Sequence, residues 1–262
     1  MKNITIGQYY PADSIIHKLD PRTKLFSTVA YITVLFMVRS VWGYVAALAA
    51  LLVVIFVSTV PPRYLLRGLR TIFFFIIITA VLNIFFTREG EVLFTLGFLH
   101  VTQGGLFHAG RMVFRLILLI SGSSVFTLTT TPTQFTDAIE FVLKPFTKIG
   151  LNAHQFAMLM TLTLGIIPSL IESTDKIMKA QMARGASFDT GGLIKKAKSM
   201  IPVLVPLFVS AFMRAEDLAT GMEARCYRGA HGRTKMRVLK FKIRDLIAFF
   251  LIAGFCVLVV KI

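Results

Sequence analysis

No stretch of this 262-residue chain reads G-x-x-x-x-G-K-[ST], so no loop is built to cradle a nucleoside triphosphate. Neither H-E-x-x-H nor G-x-S-x-G occurs, and His17, His100, His108, His154 and His231 are scattered, reading as surface or loop residues rather than ligands. Only two cysteines are present, Cys226 and Cys256, on different expected elements. Together these absences exclude the common nucleotide, metallohydrolase and serine-hydrolase chemistries, and the chain is not expected to be an enzyme. It is also poor in acid: 13 Asp and Glu stand against 29 Lys and Arg, a net charge of +16.

What is abundant is apolar. Hydrophobic residues make up 55% of the chain, 24 of them Phe, and the mean hydropathy is +0.73. A soluble domain must keep a polar surface, so this composition requires a membrane. Charge-free runs follow one another at Leu25 to Val38, Ser40 to Pro62, Thr71 to Thr87, Leu116 to Thr136 and Leu246 to Val260. About 20 apolar residues cross a bilayer and about 17 suffice, so five spans are expected, the first and last short. The segment before Lys24 lacks an apolar core and a cleavage site, and is expected to stay on the protein.

Two further uncharged runs, Ile149 to Ile171 and Ser199 to Met213, contain Pro168, Pro202 and Pro206. Either could be a sixth or seventh span, but because these prolines interrupt them and each leads into an arginine-tipped helix, they are expected to lie at the membrane boundary or against other protein. Lys and Arg then sort themselves. With the N-terminus in the cytoplasm, 24 of the 29 fall inside, in accord with the positive-inside rule. The expected order is a cytoplasmic segment 1–24, four transmembrane helices within 25–131, a cytoplasmic coupling domain 132–245 and a last span within 246–262.

The coupling domain opens on Thr131-Pro132, with Gln134 placed to complete a capping box and a short helix running to Leu143. Further on, Glu172 to Phe188 repeats Leu170, Ile171, Thr174, Ile177, Met178 and Met182 at helical spacing on one face. Gly185 stops that helix as a left-handed cap, leaving Arg184 presented at its end, where a cation suits the final carbonyls. The design recurs from Glu216 to Cys226, where Ala224-Arg225-Cys226 takes the place of Ala183-Arg184-Gly185. Arginine in a last turn is common for dipole reasons alone, but a repeated Ala-Arg tip in a membrane protein asks for a partner. Asp189 to Lys198 reads as a polar hinge between the two arms.

Eight of the 11 methionines lie between Met158 and Met236, either as ordinary core filling or as an adaptable docking surface. From Arg225 to Arg244 come eight basic residues and no acid, a topology anchor first and an electrostatic contact second. Nucleic acid is not expected as a partner, because the basic stretch abuts a span and carries few aromatic platforms.

The segments His17-Lys18-Leu19-Asp20-Pro21-Arg22-Thr23-Lys24, Leu128 to Pro132, Asp175 to Gly185 and Arg214 to Arg225 together resemble the transmembrane (T) component of energy-coupling factor (ECF) transporters of bacteria, over nearly the whole chain. The resemblance implies an all-α polytopic membrane protein in the cell membrane. It implies two cytoplasmic ATPase subunits that bind the arginine-tipped helices, and one membrane capture subunit for a vitamin or other micronutrient. ATP would be bound by those partners, and no cofactor is implied in this chain. Carried over by position, Arg184 and Arg225 would enter grooves on the two ATPases, with Ala183, Gly185, Ala224 and Cys226 permitting close approach. Two departures stand out. Cys226 occupies a place usually held by Gly, and Leu164-Gly165-Ile166-Ile167-Pro168 stands where an Arg-Phe-Ile-Pro run is common. The competing reading is a self-contained secondary transporter with about seven spans, which would need ionisable residues at mid-membrane; the first four runs offer Asn83 and hydroxyls. A third, a basic membrane scaffold for lipid or nucleic acid, would bind in a salt-sensitive way that survives loss of Arg184 and Arg225.

Overall fold

A computed structural model describes residues 9–38, 40–86, 92–96, 99–150, 152–188, 192–229 and 239–261. Its helices are α1 Pro21–Met37, α2 Val41–Ser58, α3 Pro62–Phe86, α4 Gln103–Thr129, α5 Pro132–Leu143, α6 Ala153–Ala183, α7 Leu193–Ala224 and α8 Ile243–Lys261, with a 3₁₀ segment at Lys144–Ile149. The all-α class holds, with one addition between α3 and α4. There, β1 Val92–Leu96 and β2 Leu99–Thr102 pair as an antiparallel hairpin in which Thr95 faces His100 and Leu96 faces Leu99.

The helix starts follow local chemistry. Asp20 caps α1 by accepting the Arg22 N–H at 2.9 Å, and Pro21, which has no N–H to lose, takes the first helical position. Thr102 caps α4 through the Gly105 N–H at 3.1 Å. The expected capping box of α5 is formed in full: Gln134 N–H donates to Thr131 Oγ1 at 3.3 Å, and Thr131 N–H donates to Gln134 Oε1 at 3.2 Å.

The chain divides into two compact units, Met1–Ala138 with Arg237–Ile262, and Ile139–Met236. In the first, α1, α2, α4 and α8 enclose a core of Val34, Leu35, Tyr44, Ala47, Leu51, Leu118, Val125, Leu128 and Val259. Gly122 of α4 lies against the Tyr31 ring of α1, where a β-carbon would sit 2.6 Å from the ring edge. Glycine is therefore required for these helices to approach. The outer surface is the reverse of a soluble protein's: Phe56 is 87% exposed, and Phe73, Phe74 and Phe75 of α3 all face outward. Only an apolar surrounding stabilises such a surface.

Among the described residues, five helices are long and apolar enough to cross a membrane by length and composition alone: α2, α3, α4, α6 and the 196–224 part of α7. α6 and α7, expected at the membrane boundary or against other protein, are among them. The reason lies in the prolines. Pro168, Pro202 and Pro206 are carried inside unbroken helices of 31 and 32 residues, since one missing N–H bends a long helix without ending it. The expected fourth run also changes. Its helix begins at Gln103, thirteen residues before Leu116, and stops at Thr129.

That earlier start places Arg115 inside α4, against the expectation that charge marks a boundary. Arg115 Nε donates to Tyr44 Oη at 3.0 Å and its Nη2 to the Val38 carbonyl at 3.1 Å, joining α4 to α2 and to the C-cap of α1. The guanidinium also lies over the Phe36 and Tyr44 rings, at 5.9 and 5.8 Å from their centroids. Two of its donors are thus bonded within the bundle, and two ring faces meet its charge.

Candidate functional site

Both arms of the second unit end in the same backbone motif. In α6 the Arg184 C-cap has φ −87° and ψ 8°, and Gly185 follows at φ +91°. Gly185 N–H donates to the Met182 carbonyl at 2.9 Å, and Ala186 N–H reaches back to the Gln181 carbonyl at 3.0 Å. In α7 the Arg225 C-cap has φ −91° and ψ 12°, and Cys226 follows at φ +53°. Cys226 N–H donates to the Glu223 carbonyl at 2.8 Å, and Tyr227 N–H to the Met222 carbonyl at 3.0 Å. These pairs of bonds make two Schellman ends with the same two closing bonds.

The left-handed conformation expected at Gly185 is therefore present, and its counterpart Cys226 adopts it too. A residue with a β-carbon does so at a cost of about 1–2 kcal/mol. The Cys-for-Gly departure thus keeps the cap and adds strain to it. Ala183, Arg184, Gly185, Ala224, Arg225 and Cys226 are all exposed. Among the described residues neither Arg184 nor Arg225 has an ion pair or a side-chain hydrogen bond. Each guanidinium, with five donors and small neighbours, is open to a carboxylate or a cluster of carbonyls.

Behind the tips, Leu170, Ile171, Thr174, Ile177 and Met178 are half-buried, as the helical pattern requires, whereas Met182 is 50% exposed. On α7, Leu204, Val205, Phe208, Val209 and Phe212 are exposed. With Leu170 of α6, several of these line an open apolar groove of about 570 Å³. The expected hinge is shorter than its sequence suggests, because Leu193 to Lys198 are already helical; residues 189–191 of it lie outside the described residues. Much of the basic tail, 230–238, lies outside them as well.

A second set of residues was not singled out by sequence reading. Arg214 of α7 donates through Nη1 to Ser169 Oγ and through Nη2 to Ser173 Oγ at 2.7 Å, cross-linking α7 to α6. A signal was available: Ser173 and Arg214 are 41 residues apart, the same interval that separates the tip arginines.

A polar knot occupies the first unit, within the segment that carries the resemblance. Lys24, one residue ahead of the charge-free run of α1, donates to the His17 carbonyl at 3.1 Å and the Thr129 carbonyl at 2.9 Å. Asp245 accepts the Asp20 N–H at 2.7 Å and the Lys242 N–H at 2.9 Å, tying the start of α8 to the start of α1. His17, expected at a surface or in a loop, lies in a turn but is buried, with Nδ1 bonded to Ser14 Oγ at 2.7 Å and Nε2 to the Tyr10 carbonyl at 3.0 Å. Burial pulls the Lys24 ammonium down to about 8 against the opposing attraction of Asp245 and Asp20. Burial likewise lowers His17, helped by the Lys24 charge and opposed by the Tyr10 carbonyl.

Outward-facing apolar helices define a multi-pass membrane protein, and its two longest helices end in exposed, small-flanked arginines. Residues 12–236 match the family model of the cobalt transport protein CbiQ. The chain is 53% identical to the energy-coupling factor transporter transmembrane protein EcfT of Clostridium kluyveri, covering 95% of this chain and 92% of that one. It is 49% identical to the EcfT of Thermosediminibacter oceani over 95% and 94%, and 42% identical to that of Bacillus subtilis over 94% and 92%. The chain belongs to this family of energy-coupling factor transporter transmembrane components. It is accordingly a bacterial multi-pass membrane protein of a transport system, and the family is one of transport subunits rather than of enzymes.

Proposed function

We propose that this chain transmits ATP-driven motion from two cytoplasmic ATPase subunits to one membrane capture subunit in the uptake of a vitamin or other micronutrient, with no chemistry of its own. One observation carries the reading: two long helices end in the same Schellman motif, each presenting one exposed arginine between small residues. Arg184 and Arg225, flanked by Ala183 and Gly185 and by Ala224 and Cys226, dock one into each ATPase. Charge-assisted bonds of the guanidinium fork, about 1.5–3 kcal/mol each, hold the tips as the ATPases close. ATP stays on those partners. The arms and the N-terminus face the cytoplasm, as the distribution of Lys and Arg supports.

The test is a pull-down of the detergent-solubilised chain from its host membrane proteome, comparing wild type with the Arg184→Ala, Arg225→Ala double variant. Two P-loop ATPases should be recovered with wild type. The double variant should lose them, or keep them while substrate no longer stimulates ATP hydrolysis. Recovery of no ATPase, with solute uptake by this chain alone in liposomes, would overturn the reading in favour of a self-contained secondary transporter.

A further inference from the structure

We propose that Arg214 is a positioning residue that fixes where α7 is fastened along α6, so that the two arginine tips stand at equal reach from one cross-link. The proposal rests on the transmission reading above and concerns what makes that transmission efficient. Ser173 precedes Arg184, and Arg214 precedes Arg225, by the same eleven residues. At 1.5 Å per residue each tip lies roughly 16 Å along its own helix from the Arg214–Ser173 bond. The arms form a fork with equal prongs whatever the angle between them. A displacement delivered at one tip is then returned at the other with the same lever length.

The chemistry of the cross-link selects one register. A guanidinium is planar and presents two amino groups side by side, so it reads two acceptors at once where an ammonium reads a point. Here the acceptors are hydroxyls one helical turn apart, Ser169 and Ser173. Along that row of α6, the residues at four-residue spacing are Thr161, Gly165, Ser169, Ser173 and Ile177. Sliding by one turn toward the start of α6 replaces Ser173 by Gly165, and sliding by one turn toward its end replaces Ser169 by Ile177. Either slip forfeits one of the two bonds. The present position alone satisfies both amino groups.

Location makes the choice consequential. Pro168, Pro202 and Pro206 all lie on the far side of the cross-link from the tips, where missing N–H donors let the helices bend. Beyond the cross-link each helix runs to its tip without a proline. Arg214 thus separates a pliable half of each arm from a stiff one.

The test places spin labels on full-length chain in nanodiscs, at Lys179→Cys and Thr220→Cys, with Cys226→Ser and Cys256→Ser in every sample. Electron-electron distance measurements should give one narrow distance with Arg214 present and lose it in Arg214→Ala. Arg214→Lys should retain part of it, since a lysine reaches one hydroxyl. The Ser169→Ala, Ser173→Ala pair, which leaves Arg214 and its helix intact, should reproduce Arg214→Ala, and combining all three should add nothing. In the assembled transporter, Arg214→Ala should still recover the ATPases while transport per ATP hydrolysed falls ~10-fold, the factor that one charge-assisted bond supports. An unchanged narrow distance in Arg214→Ala, or in the serine pair, overturns the proposal, as does full transport per ATP. Failure of wild type to recover ATPases would overturn the transmission reading instead, and the distance measurement, made on this chain alone, tells the two failures apart.

Discussion

Replacing Lys24 by methionine should destabilise the protein far more at pH 10 than at pH 7. The lysine is 5% exposed and holds two carbonyls, those of His17 and Thr129, that have little water to turn to. Stranding a buried acceptor costs about 1–3 kcal/mol, so losing both donors costs roughly 2–6 kcal/mol. Against this stands the cost of burying the ammonium. Its pKa falls from 10.5 to about 8 on folding, which corresponds to roughly 3 kcal/mol. The sign follows from proton counting. Between pH 8 and 10.5 the unfolded chain carries the proton and the folded chain has shed it, so stability rises with pH across that window. Below pH 8 the burial cost is present in full, and above 10.5 it is gone. Lys24→Met removes that cost along with the bonds. Near pH 7 the two effects largely cancel, and near pH 10 only the loss remains. Thermal melts of the detergent-purified chain at pH 7, 8, 9 and 10, wild type against Lys24→Met, cancel titrations common to both. The gap between them should widen by roughly 2.5 kcal/mol over the series. A gap that stays constant would refute the reasoning and mean that the ammonium is not desolvated on folding.

Other perturbations separate the remaining arguments. Gly122→Ala drives a β-carbon to 2.6 Å from the Tyr31 ring, so α1 and α4 must part; a loss of about 1–3 kcal/mol in melting experiments is expected. Cys226→Gly relieves the φ +53° strain and should slow hydrogen exchange at the Tyr227 amide, while Gly185→Ala, at φ +91°, should speed exchange at Ala186. Arg115→Leu leaves the Val38 carbonyl without its donor and should cost about 1–3 kcal/mol, whereas a boundary arginine in lipid headgroups would be replaced at almost no cost. Melting in detergent distinguishes those outcomes directly.

Features set by neighbours in sequence were legible; features set by partners far along the chain were not. The Thr131–Gln134 box, the Gly185 cap and the presented Arg184 each depend on residues within a few positions, and each stands as the sequence implies. Pattern reading erred where a distant group changes what a residue costs. Arg115 ended an apolar run on paper, yet Tyr44 and Val38, 71 and 77 residues away, satisfy it inside α4. Prolines 168, 202 and 206 marked breaks on paper, but one absent donor is a small loss to helices of 31 and 32 residues. His17 looked like a loop histidine because its partners, a hydroxyl and a carbonyl, carry no motif of their own. Arg214 hid for the same reason, since serine hydroxyls in a helix usually turn back on their own backbone. Ser173 does both, donating to the Ser169 carbonyl at 2.8 Å while its oxygen accepts from Arg214. A hydroxyl whose proton is already committed to its own helix has only lone pairs left to offer, and a guanidinium, which only donates, is the side chain that fits. The 41-residue echo of the tips at Ser173 and Arg214 then follows from packing: two arms fastened by such a bond present matched ends only if the same count of residues separates fastener and tip on each.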